Sequence, residues 1–78
     1  MIKSYFRQRV QYWSQCRGEF QLISDLHPRH AANAAEKLLR EADVWAKESD
    51  VDTDRPVLWM SAQPLFRALV LRAGVDAR

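Results

Sequence analysis

One cysteine, two glycines and three prolines are all that this 78-residue chain has of the residues that staple, hinge or break a fold. A lone thiol builds no internal disulfide framework and suits a reducing compartment. So few glycines and prolines exclude a collagen-like repeat and a low-complexity linker. Long apolar runs are missing too. Nothing approaches the ~18 residues of a membrane span, and Met1-Ile2-Lys3 leads into no signal-peptide core. With 47% hydrophobic and 28% charged residues, the composition is that of a globular domain, not a disordered tail. The expectation is one small cytoplasmic domain over residues 1–78, with no membrane partner. A domain of this size buries only about 60–65% of the surface its unfolded chain exposes, so its core works with little margin.

The absences reach the chemistry as well. Two distant glycines make no phosphate cradle, and no serine sits in a nucleophile elbow. Cys16 reads as a buried thiol. No catalytic residue, no enzymatic activity and no cofactor are expected. His27 and His30, with Asp25 nearby and Cys16 upstream, are zinc-type residues that lack any paired ligand spacing, so no metal is expected. Asp50-x-Asp52-x-Asp54 opens like a calcium loop. Its sixth and twelfth places hold Arg55 and Ser61 instead of glycine and glutamate, which leaves a solvated acidic loop.

What the chain does have is helical periodicity. Ala31, Ala34, Ala35, Leu38, Leu39, Ala42, Trp45 and Ala46 fall at three-and-four spacing, which predicts a helix over 28–47. Pro28 suits its first position, His27 or Asp25 its cap, and Leu26 a staple on the first turn. A second helix is predicted over 62–73, capped by Ser61 and stopped by Gly74, with Leu65, Phe66, Leu69, Val70 and Ala73 inward and Arg67 and Arg72 facing water. Between them, residues 50–56 read as a polar loop, and Val57-Leu58-Trp59-Met60 re-enters the core as a short extended piece or a helical turn. Residues 2–24 fit two readings. Ile2, Tyr5, Phe6, Arg9, Val10, Trp13 and Cys16 keep helical spacing, the preferred reading; Arg17-Gly18 turning into Phe20-Gln21-Leu22-Ile23 would instead make a β-hairpin. The fold class is therefore mostly α, a small compact helical domain with an N-terminal helix or hairpin.

Charge is unevenly spread. Residues 1–17 carry Lys3, Arg7, Arg9 and Arg17 and no acid, a charge of +4, while the remainder sums to −2. These bases interleave with Tyr5, Tyr12 and Trp13. Tyr5, Arg7, Arg9, Tyr12, Trp13 and Arg17 are thus the candidate partner-binding residues: rings can anchor a protein partner or stack on unpaired bases, and arginines can pair with phosphates. The competing reading makes the rings core and the arginines a solubilising face.

The spacing Ile23-x-x-Leu26-x-x-x-His30-x-x-Asn33-Ala34-x-x-x-Leu38 resembles a pattern in small bacteriophage accessory proteins of unassigned role. There an apolar staple residue, often methionine, precedes a His-x-x-Asn-Ala helix; Leu26 takes the methionine's place. The likeness covers residues 23–38, about a fifth of the chain. It implies a phage gene acting on host machinery or host defences, in the cytoplasm of an infected bacterium. His30 and Asn33, one turn apart on one face, are expected to bracket a neighbouring loop backbone. The leading expectation is a non-enzymatic protein that modulates or inhibits a host protein by contact. The alternative is a nucleic-acid-binding accessory protein using the basic aromatic N-terminus. Self-association is compatible with both, and nothing suggests the long repetitive interface of a virion component.

Overall fold

A computed structural model describes residues 2–14 and 17–74, with side chains from Tyr5 onward. Cys16, expected to be a buried thiol, lies outside the described residues. The chain is mostly α, and its described elements run α1 (Ile2–Arg7), β1 (Gln11–Ser14), β2 (Glu19–Leu22), a 3-10 turn (Ile23–Asp25), α2 (Pro28–Arg40), α3 (Ala42–Glu48), α4 (Pro56–Ser61) and α5 (Pro64–Gly74).

The N-terminal third uses both of its readings. Helix holds for Ile2–Arg7 only, and the preferred reading of one long helix is corrected from Gln8 onward. The Gln8 amide ends the helix by bonding in both directions. Its Nε2 donates to the carbonyls of Tyr5 and Gln11, and its Oε1 accepts the N–H groups of Val10, at 2.8 Å, and Gln11, at 2.7 Å. A side chain that meets backbone groups so completely competes directly with the helical ladder. The chain then enters an antiparallel hairpin in which Gln11 faces Leu22, Tyr12 faces Gln21, Trp13 faces Phe20 and Ser14 faces Glu19. Gly18 turns it at φ +64°, a left-handed backbone that glycine adopts without steric cost.

The long helix begins as its sequence indicates. His27 is the cap, its Nδ1 accepting the Arg29 N–H at 3.1 Å, with Pro28 at the first position. Leu26 and Ala31 are both buried, as a staple requires. The predicted single helix is corrected at Glu41, where φ −100° and ψ 11° divide it into α2 and α3. The cause is tertiary, since no glycine or proline stands there. α2 packs mainly on α5 and α3 mainly on α4, two partners that one straight rod would not serve. Trp45 Nε1 donates to Glu41 Oε1 at 3.3 Å across the break. α3 stops in a Schellman turn: Asp50 takes φ +58° and donates its N–H to Lys47, while the Val51 N–H reaches the Ala46 carbonyl at 2.8 Å.

Val57–Met60 belongs to α4, the helical alternative of its two readings. Ser61 is the last residue of that helix, its Oγ donating to the Leu58 carbonyl at 2.9 Å, so it is not the cap of α5 as expected. α5 opens at Pro64, and Gly74 is its final residue. One cluster gathers Phe6, Tyr12, Ile23, Leu26, Met60, Leu65 and Leu69 with the α2 stripe of Ala31, Ala34, Ala35 and Leu38. Phe6 is its aromatic centre, meeting Trp45 at 5.5 Å and Trp59 at 5.8 Å edge to face. Two details of α5 are corrected. Val70 is exposed, and Arg72 is half-buried, its Nε donating to the Leu26 carbonyl at 2.7 Å. Among the described residues no helix is long and apolar enough to cross a membrane.

Leu69 is wholly buried where α5 meets α2, and Val70 beside it is not. Leu69→Ala should cost about 2–5 kcal/mol in urea unfolding and Val70→Ala under about 1. Equal losses would mean that the buried side of α5 is misassigned. At the α3 stop, Asp50→Gly should stabilise the chain by about 0.5–1 kcal/mol by relieving the left-handed residue. A lower unfolding midpoint would count against the Schellman assignment.

Candidate functional site

The hairpin sorts its rings by strand alternation. Tyr12 and Ser14 point inward and Gln11 and Trp13 outward, so of the two β1 rings only Trp13 reaches solvent. The Ile23 N–H donates to the Val10 carbonyl at 2.8 Å, which fixes the ladder phase. Trp13 and Phe20 therefore form a non-hydrogen-bonded pair, the kind whose side chains approach most closely. Their rings meet at 5.0 Å and 73°. Phe20 also touches Tyr5 at 6.3 Å. Since Leu22 faces Gln11, it lies on the same side of the sheet. Trp13, Phe20 and Leu22 are 41%, 54% and 44% exposed, an apolar face that the chain does not cover.

The backbone edges of the hairpin differ. On β1 three outward groups are taken: the Gln11 N–H and carbonyl by the Gln8 amide, and the Trp13 N–H by the Tyr5 hydroxyl at 3.0 Å. On β2 no side chain caps Phe20 or Leu22 among the described residues. The apolar face thus continues into an edge whose Phe20 and Leu22 backbone groups have no partner among the described residues, the kind of surface to which another chain adds.

The expected site residues separate accordingly. Trp13 lies in the exposed face, and Tyr5 supports it from α1 while half-buried. Tyr12 is corrected: it belongs to the core cluster, and its ring meets His30 edge to face at 6.2 Å. Arg7, Arg9 and Arg17 are exposed and form no ion pair among the described residues. His30 and Asn33 do not make the expected bracket. Both are exposed on the flank of α2 beside its alanine stripe, and neither bonds a loop backbone among the described residues. Phe20 and Leu22 complete the face, and sequence reasoning did not include them. The signal was the pairing itself, because once Arg17-Gly18 is a turn, Phe20 must face Trp13.

Burial is the main influence on the Tyr5 phenol and raises its pKa above the ordinary value near 10. The hydrogen bond from the Trp13 N–H opposes this, and the nearby Tyr12 adds to it. Among the described residues no group of three or more His, Cys, Asp or Glu side chains is placed to hold a metal ion. Comparisons with protein-family models, with curated proteins and with solved structures find no match.

Tyr5 carries a pH prediction. Between the unfolded pKa near 10 and the higher folded value, the unfolded chain releases a proton that the folded chain keeps, so stability falls as pH rises. Tyr5→Phe should lose about 1 kcal/mol at pH 7 with the Trp13 hydrogen bond. Its stability should then fall less steeply than the parent's between pH 9.5 and 11. Parallel curves for the two proteins would show that Tyr5 ionises as freely in the fold as outside it.

Proposed function

We propose that this chain is a phage-encoded, non-enzymatic binding protein that modulates a host protein by occupying its surface. The observation that carries the reading is the exposed face of Trp13, Phe20 and Leu22 beside the open β2 edge. Large rings in a pre-formed array are the usual anchors of a protein interface, because they bury much area while losing little rotamer freedom. Here the array is held from below by Tyr5 and costs no rearrangement to present. Arg7, Arg9 and Arg17, exposed on the same N-terminal segment, would speed encounter with an acidic partner. The phage setting rests on the likeness of residues 23–38 to phage accessory proteins.

The second reading is single-stranded nucleic acid, favoured by the same rings and arginines. Tyr12 weakens it, since a buried ring offers no stacking platform.

The test is capture from a nuclease-treated bacterial lysate at 0.15 and 0.5 M salt, using the parent and Trp13→Ser/Phe20→Ser. One retained protein, held at both salts and lost in the double variant with its melting temperature within a few degrees, is the expected result. The variant Arg7→Gln/Arg9→Gln/Arg17→Gln should slow association more than it speeds dissociation. Capture that nuclease abolishes, with oligonucleotide binding falling steeply as salt rises, would replace this reading with the second. Capture of nothing at either salt would remove it.

A further inference from the structure

A second surface stands apart from the aromatic face. An open groove of about 1120 Å³ runs between α5, the α4–α5 junction, the bend at residues 9–10 and the 3-10 turn. Its apolar lining includes Val10, Val70 and Leu71, which are 60%, 47% and 73% exposed. Val70 and Leu71 are uncovered because α5 spends its inward side on Leu65 and Leu69, which leaves the adjoining ridge to solvent. Arg9, Arg67 and Arg72 also line the groove, and no aspartate or glutamate does. None of the three forms an ion pair among the described residues. Arg72 is tied down by its bond to the Leu26 carbonyl, so part of the positive charge is already fixed in place.

We propose that this groove receives an acidic amphipathic helix from a partner protein. Three arginines with no acid in the lining and no ion pair among the described residues select an occupant that brings its own carboxylates, the groups guanidinium pairs with most specifically. The apolar lining selects one whose carboxylates flank a hydrophobic stripe. The shape selects a helix. Arg67, Val70 and Leu71 stand at i, i+3 and i+4 on α5, a ridge of the spacing on which another helix packs. The volume exceeds that of most enclosed small-molecule pockets, and the site is an open trough, which suits an elongated partner. Nucleic acid would meet the charge but not the surface: Phe66 is the sole aromatic ring in the lining and is half-buried, so bases have no platform.

Four probes separate these possibilities by fluorescence anisotropy. They are a labelled peptide of about 18 residues, long enough to be helical, with leucines at i, i+3, i+4 and i+7 flanked by glutamates; its scrambled form; its lysine counterpart; and oligothymidylate of matching charge. The glutamate peptide should bind at least tenfold tighter than the other three. Arg9→Gln/Arg67→Gln should weaken it roughly three- to thirtyfold, the range for loss of two exposed charge pairs. Leu71→Ser should weaken it at least threefold. Arg72 is kept because its bond to Leu26 supports the fold. Trp13→Ser/Phe20→Ser should leave peptide binding unchanged, so this groove and the aromatic face stand or fall separately. Equal binding of the scrambled peptide, tighter binding of oligothymidylate, or parent-like binding by Leu71→Ser would overturn the proposal.

Discussion

Alanine at 31, 34 and 35 gives α2 a shallow face, and the fold depends on α5 lying against it. Small side chains let two helices approach closely, and the pairing of α2 with α5 is the most extensive between any two elements. Leu65 and Leu69 fill the contact from the α5 side and are wholly buried. The Arg72 bond to the Leu26 carbonyl then joins the far end of α5 to the entry of α2, across 46 residues of sequence. The other helices are built onto this pair: α1 packs on α5, α3 on α2, and α4 on both, with α3 and α4 also packed on each other. The 3-10 turn leads the hairpin back onto the pair through Ile23 and Leu26.

An alanine face contributes little apolar area per residue, so a domain this small must bury area elsewhere. It does so with rings. Phe6 is nearly inaccessible and has Tyr5, Trp45 and Trp59 around it, which concentrates hydrophobic area where the alanines provide least. The same economy explains why Trp13 and Phe20 stand out. The core accepts one ring from β1, and strand alternation sends Tyr12 in and Trp13 out. Two large rings paired at the surface of so small a chain have no structural duty that requires exposure, and that is why the functional reading rests on them.

Local chemistry was legible in the sequence, and tertiary choices were not. The entry of α2 could be read from Leu26-His27-Pro28 because cap, staple and first-turn proline act within five residues. The Asp50–Asp54 segment was legible as a solvated loop for the same reason. The break at Glu41 was hidden, because what divides the helix is the separate pull of α4 and α5, and Arg40-Glu41-Ala42 contains no breaker. The hairpin was half visible. Arg17-Gly18 marked the turn, but Gln8, which closes α1 with its side chain, looks like any helix-compatible glutamine. His30 and Asn33 misled because a shared helical face says nothing about which way that face looks; the alanine stripe takes the inward direction and leaves them outside. Val70 was misplaced by one position on α5, within the width of an apolar stripe.

The charge pattern takes on a sharper meaning once the fold is known. The chain has nearly balanced charge, twelve bases against ten acids, yet Arg7, Arg9, Arg17, Arg67 and Arg72 form no ion pair among the described residues. Arg72 supports the fold through its bond to the Leu26 carbonyl, but exposed cations left unpaired, such as Arg7, Arg9, Arg17 and Arg67, contribute little to folding. The acids are densest around the α3–α4 loop, at Glu48, Asp50, Asp52 and Asp54, while Glu19 on β2 and Asp25 on the 3-10 turn lie next in sequence to the two surfaces without lining the groove. An uneven charge distribution of this kind orients a molecule in the field of a partner before contact. Arg9 belongs to the groove, and the backbone pairing of neighbouring Val10 with Ile23 begins the hairpin ladder, so the basic N-terminal segment adjoins both surfaces. An acidic partner drawn to that segment would meet exposed apolar side chains on either side of it, and hydrophobic burial there would convert a steered encounter into a lasting complex.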